Sequence, residues 1–312
     1  MTYYIGIDGG GTKTTGAISD GNQVLAERTV GPTNCHVAER ALITGRIESL
    51  LNDLTEFAGV DFKGIACICF GGAGIDTSQD KLYMETVFRE IGFAGKLIVC
   101  NDALTALVGA NSGYEGAILI SGTGSIALAV SADRTWHRVG GWGHLIGDEG
   151  SGYRIGRDGF VAIVKSFDKR GPETKLWELY RERHPFETPE DIIEYIYMES
   201  REKEAVAKFA EVVIGAYEID AAARDIVQRA VDELFEMIVA INEIMKWEPF
   251  KLSVAGSVLT KSSLMYELLR SRIESQFKHI AFHRPVDLPV MGAVLLAVNE
   301  KKDGFVAEAL VL

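Results

Sequence analysis

The sequence predicts an α/β fold built from two related lobes. Strands alternate with helices along the first third of the chain, which is the pattern of an α/β domain. The opening strand and its glycine turn return more than 100 residues later, which indicates a duplicated lobe. The chain has 312 residues, more than one domain usually contains. We therefore expect an N-terminal lobe at residues 1–112 and a C-terminal lobe at 113–312, with the option that the last helix packs back on the first lobe.

The first lobe divides into strands and helices at clear turn signals. Asp20-Gly21-Asn22 between two β-rich runs predicts a hairpin. Apolar residues recur at helical spacing after it, and two short apolar strands follow. Asp102 stands directly after the second of these and is expected to cap a helix. The predicted strands are Tyr3–Asp8, Thr14–Ser19, Gln23–Val30, Gly64–Phe70 and Lys96–Cys100, and the predicted helices are Val37–Ala58, Lys81–Ile91 and Asp102–Ala110.

The second lobe begins after Asn111-Ser112-Gly113, where the pattern loosens. Ile118–Ser125 then repeats the order of Ile5–Thr12: an apolar strand, a glycine turn with a hydroxyl residue, and a second strand. The segment from about Gly147 to Lys246 reads as mainly helical. A strand at Leu252–Ala255, a glycine turn, and helices from Lys261 and Pro289 complete the lobe.

Composition excludes several classes of protein. The net charge is −12, with 44 acidic against 32 basic residues, so a sequence-independent grip on nucleic acid is not expected. A nucleotide can still bind, because backbone amides and a metal neutralise phosphates locally. Neither a signal peptide at the start nor a long apolar span is apparent, so we expect a cytoplasmic protein without a membrane segment. The four cysteines, Cys35, Cys67, Cys69 and Cys100, are interpreted as reduced core thiols without a metal or disulfide role.

Three glycine-rich turns follow apolar strands and suit phosphate binding. Glycine lets backbone amides approach an anion, and hydroxyl groups add hydrogen bonds. A Walker motif is not found in the sequence. Gly122-x-Gly124-x-x-Ala127 formally matches a dinucleotide fingerprint, but the segment after it is β-like where that motif requires a helix. The turns are Asp8–Thr14, Ser121–Ser125 and Ala255–Ser257.

The first turn carries Asp8 where the second carries Ser121. A carboxylate beside a phosphate-binding turn repels a nucleotide unless a cation lies between them. Hydrated Mg²⁺, which prefers oxygen ligands, is therefore predicted at Asp8.

With these motifs in place, the sequence resembles the actin-like ATPase superfamily of sugar kinases, heat-shock chaperones and actin. Within it, the chain is similar to the family of N-acetylglucosamine kinases and BadF/BadG/BcrA/BcrD activator-type ATPases. The resemblance implies two actin-like (RNase H-like) lobes with an interlobe cleft for ATP and sugar. The matching motifs, in chain order, are Ile5–Thr14 (first phosphate), Asn101–Ala103 (first connecting), Ser121–Ser125 (second phosphate), Val254–Ser257 (adenosine) and Val290–Leu296 (second connecting).

Two further segments resemble the amino-sugar kinases in particular. Thr33–His36 is similar to the sugar-contacting loop, which implies that Asn34 binds sugar hydroxyls. Gly140–Ser151 is similar to a long signature of the same kinases. It implies that the backbone of Gly141, Trp142 and Gly143 and the side chain of Asp148 contact the sugar. Considered apart from this resemblance, the residues Gly147–Ser151 predict only a capped helix start.

The departures also carry information. Activator ATPases hold an iron–sulfur cluster on cysteines at the lobe interface, and Ser121–Ala127 contains none. The zinc-binding cysteine cluster of the repressor and glucokinase branch is missing as well. A catalytic kinase is therefore the simplest reading.

Phosphoryl transfer needs positioning, charge stabilisation and removal of one proton from the attacking alcohol. Asp102 is the predicted catalytic base, kept ionised by the helix start. Lys13 is interpreted as an exposed charge on the strand beyond the turn. The remaining assignments are Gly10, Gly11, Thr12 and Thr123 to the ATP phosphates, Asp8 to Mg²⁺, Gly256 and Ser257 to the adenosine, and Asn34, Gly141, Trp142, Gly143 and Asp148 to the sugar.

Several alternatives stay open at this point. The expected acceptor is N-acetylglucosamine, and the alternatives are glucosamine and N-acetylmuramic acid. The carboxylate of N-acetylmuramic acid would need a cation such as Arg138 or His144. Resemblance suggests transfer to the 6-hydroxyl. A nucleotide-switched regulatory ATPase is the alternative from another class. A homodimer is compatible with the resemblance, since such kinases are commonly dimeric.

Overall fold

The computed structural model describes residues 2–36, 38–183, 186–197 and 202–303. The chain forms two compact units. The first comprises the described residues within Met1–Gly116, Val130–Trp136 and Pro285–Leu312, and the second those within Ala117–Ala129 and His137–Arg284.

Each unit contains one five-stranded sheet with helices around it. The strands are β1 (Tyr3–Gly9), β2 (Thr14–Ser19), β3 (Val24–Val30), β4 (Ile65–Gly72), β5 (Lys96–Asn101), β6 (Gly116–Ser121), β7 (Ser125–Val130), β8 (Trp136–Gly140), β9 (Phe250–Ala255) and β10 (Ile280–His283). The α-helices are α1 (Arg40–Ala58), α2 (Ser78–Glu90), α3 (Asp102–Asn111), α4 (Gly152–Phe167), α5 (Leu176–Arg181), α6 (Asp191–Tyr197), α7 (Glu202–Lys208), α8 (Ala210–Gly215), α9 (Ala221–Ile244), α10 (Ser257–Lys261), α11 (Ser263–Gln276) and α12 (Pro289–Asp303).

The sheet of the first unit has the strand order β3-β2-β1-β4-β5. Strand β2 is antiparallel to β1 and β3, whereas β1, β4 and β5 run parallel. Parallel strands end at one edge of a sheet, and ligands of open α/β sheets bind at that edge. The residues that follow β1, β4 and β5 are therefore brought together by the topology.

Side-chain alternation along β1 explains how this sheet is covered on both faces. Ile5 and Ile7 are fully buried in the cluster that contains the apolar residues of α1 and α2. Gly6 points the other way, where a Cβ would clash with the backbone of Val294 in α12. A residue without a side chain is thus required for α12 to pack directly on the strand.

The sheet of the second unit has the order β10-β9-β6-β7-β8, with β9 parallel to both β6 and β10. Its core joins strand residues such as Leu119 and Val254 to buried residues of the helices, among them Ile226, Leu234 and Ile238. This packing fixes the strand ends that carry the second and third glycine turns.

Several sequence predictions are confirmed. The Asp20 carboxylate accepts hydrogen bonds from the amides of Asn22 and Gln23 and closes the β2–β3 hairpin. Residues 125–130 form strand β7, so the dinucleotide fingerprint was rightly rejected.

None of the helices in the described ranges combines the length and hydrophobicity that crossing a bilayer requires.

Other predictions were wrong. Strands β8 and β10 were not foreseen, and α1 begins at Arg40, with Val37 outside the described residues. All four cysteines lie in the described ranges and are reduced thiols, but only Cys67, Cys69 and Cys100 are buried. Cys35 is half-buried in the loop before α1, so it is not a core thiol.

Candidate active site

Asp8 and Asp102 lie at the carboxyl edge of the first sheet. Asp8 pairs with Gly71 of β4 in the sheet register, and Gly72 pairs with Asn101 of β5. Asp102 is the first residue of α3, which starts immediately after β5. The register therefore places both carboxylates at the strand ends where open α/β sheets bind ligands.

The pKa of each of these two carboxyl groups is raised above its usual value. Burial, and then the charge of Asp102, raises the pKa of Asp8 to about 6, although the nearby Lys13 opposes the shift. Burial, and then the charge of Asp76, raises the pKa of Asp102 to about 6. The helix start was expected to keep Asp102 ionised, but burial and a neighbouring acid outweigh the helix end and raise the pKa. Such a pKa still leaves the group mostly ionised at neutral pH.

The N-cap of α3 is Asn101 and not Asp102. The Asn101 side chain accepts a hydrogen bond from the Ala103 amide at 2.9 Å. Its Nδ2 donates to the carboxylate of Asp76, also at 2.9 Å. Because Asn101 satisfies the helix end, the carboxylate of Asp102 is not needed as a cap.

The first glycine turn spans Gly10 to Lys13. The Gly10 amide donates to the Lys13 carbonyl at 3.0 Å, and the Gly10 carbonyl accepts from the Thr33 amide at 3.3 Å. Gly11 and Thr12 are exposed at the tip, and a Cβ on Gly11 would meet no atom within 4 Å. Lys13 belongs to the turn, since β2 starts at Thr14, and its charge lowers the pKa of Asp8. Its interpretation as a strand residue beyond the turn was wrong.

Asn34 lies in the loop between β3 and α1, beside the loop that follows β4. Its Oδ1 accepts a hydrogen bond from the His36 amide at 2.8 Å. A Cβ on Gly74 would approach the same oxygen to 2.9 Å, so the two loops are in contact here. The Nδ2 of Asn34 is the side-chain group that can donate to a ligand.

In the second unit, two glycine turns touch each other. Gly256 has a φ of +81°, and a Cβ there would clash with the carbonyl oxygen of Ser121. The amides of Gly152 and Tyr153, at the start of α4, donate to the carbonyls of Gly122 and Thr123 at 2.8 and 3.2 Å. The helix end therefore anchors the second turn through its carbonyl groups.

A pocket of about 440 Å³ opens beside these turns. Thr123 and Ser257, both predicted nucleotide ligands, line it. Helices α7 and α8 add apolar wall residues such as Ala207 and Ile214. Charged residues also contribute, namely Lys208, Lys261, Glu204 and Glu211. The volume lies within the usual range of small-molecule sites, and the mixed wall suits a ligand with an apolar ring and anionic groups.

Asp148 lies behind the second glycine turn. It is 3% exposed and has a φ of +58°, a left-handed conformation that is uncommon outside glycine. Its Oδ1 accepts from the Ser125 amide at 3.3 Å. Its Oδ2 pairs with the Lys203 ammonium at 2.9 Å, off the hydrogen-bond axis. Asp148 therefore links the turn to α7, which lines the pocket.

Gly141, Trp142 and Gly143 form an exposed loop after β8. Both glycines have positive φ, and Trp142 is 65% exposed. The Arg138 guanidinium lies over the Trp142 ring, 4.2 Å from its centroid. His144 instead packs edge-on against Tyr153 at 5.0 Å.

Within the first unit, the structure brings Asp8, Asp102 and the Gly10–Thr12 turn to the edge of one sheet, with Asn34 on a loop that touches the loop after β4. Within the second, Thr123 and Ser257 line one pocket, and Gly256 supports it.

Sequence reasoning missed several charged residues of these sites. Asp76 follows a further glycine-rich stretch after β4, a signal that resembles the other turns. Lys203, Lys208 and Lys261 lie on helices whose pairing with the glycine turns carries no sequence signal.

Comparison with known proteins identifies relatives along nearly the whole chain. The model of the BadF/BadG/BcrA/BcrD ATPase family matches residues 5–297. An N-acetylmuramic acid/N-acetylglucosamine kinase from Clostridium acetobutylicum is 36% identical over 304 residues, 96% of this chain and 99% of that protein. An N-acetyl-D-glucosamine kinase from Dictyostelium discoideum is 32% identical, over 96% of this chain and 98% of that protein.

Among solved structures, a candidate N-acetylglucosamine kinase from Porphyromonas gingivalis superposes with a TM-score of 0.72 at 23% identity. The match covers 96% of this chain and 100% of that chain. At this identity the likeness establishes the fold: the two-sheet α/β architecture of actin-like sugar kinases.

Proposed function

Because the chain belongs to the BadF/BadG/BcrA/BcrD ATPase family, we propose that it is an ATP-dependent amino-sugar kinase with N-acetylglucosamine as its main acceptor. The two full-length relatives named above are kinases of N-acetylated amino sugars. The observation that carries the proposal is the pair Asp8 and Asp102 at one sheet edge, each with a pKa raised to about 6. A cytoplasmic location remains a prediction.

Asp102 is the proposed general base. It takes the proton of the attacking sugar hydroxyl as the oxygen of that hydroxyl bonds to the γ-phosphorus, and the bond to the β–γ bridging oxygen breaks to release ADP. A base works best when its pKa lies near the operating pH, and the raised pKa of Asp102, about 6, meets that condition. Asn101 and Asp76 act as positioning residues, because their hydrogen bond holds the start of α3.

Asp8 is the proposed ligand of Mg²⁺, directly or through water. The donor set suits this ion, since both groups offer carboxylate oxygens, and burial followed by a neighbouring acid raises the pKa of each. The ion that Asp8 would hold would supply neutralisation of the phosphate charge. Gly10, Gly11 and Thr12 offer the β- and γ-phosphates an exposed turn, and Lys13 adds a cation beside Asp8.

The pocket of the second unit is the proposed nucleotide site. Ser257 and the backbone at Gly256 face the adenosine, and the apolar wall of α7 and α8 covers the base. Thr123 binds phosphate. Its carbonyl accepts a hydrogen bond from the Tyr153 amide of α4, so its hydroxyl and amide are the groups that would bind a ligand. Asp148 and Lys203 keep this turn in place.

The remaining predicted sugar ligands stay part of the proposal. Asn34 donates from Nδ2 to sugar hydroxyls, and the loop Gly141–Gly143 with Trp142 offers backbone groups and an exposed ring. The buried position of Asp148 favours a supporting role alongside any contact with the sugar.

N-acetylmuramic acid is a second proposed acceptor, supported by one specific contact. Arg138 stacks on Trp142 and so places a cation in the loop region that carries the predicted sugar ligands. The lactyl carboxylate of N-acetylmuramic acid would pair with this guanidinium. His144 is less suited, because its ring packs on Tyr153.

The decisive experiment is ATP turnover with a panel of amino sugars: N-acetylglucosamine, N-acetylmuramic acid and glucosamine. ADP release that depends strictly on an N-acetylated sugar, with formation of its 6-phosphate, supports the proposal. Sugar-independent hydrolysis would instead support a nucleotide-switched regulatory ATPase. Arg138→Gln should raise the KM for N-acetylmuramic acid more than the KM for N-acetylglucosamine.

A further inference from the structure

Cys35, His36 and Asp80 form a cluster that the kinase reaction does not use. One ligand atom from each, Sγ, Nε2 and a carboxylate oxygen, lies within 4.8 Å of the other two. The cluster joins the loop before α1 to the first turn of α2 in the first unit. It lies apart in sequence from Asp8 and Asp102, and its members include a thiol and an imidazole, which Mg²⁺ does not prefer.

The three side chains converge on a common point. The His36 Nε2 lies 3.3 Å from Asp80 Oδ1 and 3.0 Å from the carbonyl oxygen of Gly74. The Cys35 Sγ lies 3.5 Å from the same carbonyl oxygen and 4.0 Å from Asp80 Oδ1. His36 Nε2 and Cys35 Sγ therefore both lie within 3.0 to 4.0 Å of the same two oxygens. Ligand atoms at such separations can share one cation, which would replace these contacts.

We propose that this cluster is a binding site for a thiophilic divalent metal ion of the Zn²⁺ class. Thiolate, imidazole and carboxylate are the ligands that Zn²⁺ takes, and four-coordinate geometry would be completed by the Gly74 carbonyl or by water. The metal enters from solvent, since the His36 side chain is 59% exposed. Binding replaces the thiol proton of Cys35, which leaves to solvent.

Bound metal would fix the segment that carries Asn34. The Asn34 Oδ1 accepts from the His36 amide, so a metal on His36 and Asp80 ties this turn to the start of α2. Asp80 already holds that start through a capping box with Thr77. The metal is therefore a structural ligand that orders the loop, and only its effect on sugar affinity rests on the proposed role of Asn34.

Titration of the full chain with Co²⁺ tests the site directly. With Mg²⁺ in excess to fill carboxylate sites, Co²⁺ should give a thiolate-to-metal charge-transfer band that saturates at one equivalent and is displaced by Zn²⁺. Cys35→Ser should abolish the band, and His36→Gln should weaken Zn²⁺ affinity by about tenfold or more. His137→Gln, a histidine of β8 outside the cluster, is the matched control and should bind like wild type. An Asp80 variant is unsuitable because it also removes the cap of α2.

Alkylation of the folded protein adds a second readout. Cys35 is the one cysteine that is not buried, so it should react first, and Zn²⁺ should protect it. A Co²⁺ spectrum without a thiolate band, or equal Zn²⁺ affinity in wild type and Cys35→Ser, would overturn the proposal. Because these readouts do not depend on sugar phosphorylation, their failure is distinguishable from failure of the proposed kinase function.

Discussion

Asp8 titrates in the field of Asp102: burial first, and the charge of Asp102 second, raise the pKa of Asp8 to about 6. The coupling is one-sided, since the pKa of Asp102 is raised by burial and by the charge of Asp76. Ionised Asp8 is therefore unfavourable without a cation beside it, and a bound cation would offset this penalty.

Asp102→Asn should lose on the order of 10²–10⁴ in kcat, the usual contribution of a general base. Both KM values should stay within about threefold, because asparagine keeps the shape of the side chain. Steady-state kinetics with saturating ATP and sugar measure this. Asp53→Asn, on the exposed face of α1, is the control. Near wild-type turnover in Asp102→Asn would remove Asp102 from the mechanism.

Asp8→Ala should change the metal requirement and little else. Without this carboxylate, the Mg²⁺ concentration for half-maximal rate should rise by about tenfold or more, and excess metal should rescue part of the activity. The KM for the sugar should be nearly unchanged. Metal titrations at fixed ATP measure the shift, and superimposable curves for the two proteins would reduce Asp8 to a turn residue.

Asp8→Asn should make the ligand-free protein more stable at pH 7. The pKa of Asp8 is raised from 3.8 to about 6 in the folded state, so the fold binds this proton more tightly than the unfolded chain does. The free energy of unfolding of the wild type therefore falls as the pH rises through that interval. A shift of about two pKa units corresponds to at most about 3 kcal/mol. Asp8→Asn has no ionisable group at this position. Its free energy of unfolding should therefore exceed that of wild type at pH 7 and match it near pH 4.

Urea unfolding of both proteins at the two pH values, followed by circular dichroism, measures the difference. Asp53→Asn should follow wild type at both. An advantage of Asp8→Asn that persists at pH 4 would mean that the effect does not come from ionisation.

Much of the fold could be predicted because its signals are local. The β1–β2 and β6–β7 pairs each combine an apolar run with a glycine turn, and both appear where the pattern placed them. Strand β8 was missed because its five residues are all half-buried, so polar and apolar positions do not alternate along it. Strand β10 has only four residues and includes a histidine, too short a pattern to separate from a loop.

The site was predictable only where motif and strand end coincide. Asp8 and Asp102 directly follow apolar runs, so their position at the sheet edge could be inferred. Their raised pKa values could not, since these depend on burial and on Asp76, which approaches Asp102 through tertiary packing. The wall of the pocket could not be predicted either, because α7 and α8 come close to the glycine turns only in the folded unit.

The pocket of the second unit leads to a final prediction through Gly215, an exposed helical glycine on its lining. A Cβ at this position would meet no atom within 4 Å, so a larger side chain can be added without a backbone clash. Gly215→Leu should narrow the pocket and raise the KM for ATP by about tenfold, while the KM for the sugar changes little. The fold should be preserved or slightly stabilised, because leucine favours a helix over glycine by up to about 1 kcal/mol.

Gly45 of α1 provides the matched control, because it is also an exposed helical glycine with open space around its Cβ position. Gly45→Leu should gain the same helix stability and leave both KM values unchanged. Direct nucleotide binding by isothermal titration, with and without sugar, separates a blocked pocket from a slower reaction. Equal ATP affinity in Gly215→Leu, Gly45→Leu and wild type would place the nucleotide elsewhere, and the assignment of Thr123 and Ser257 would fail with it.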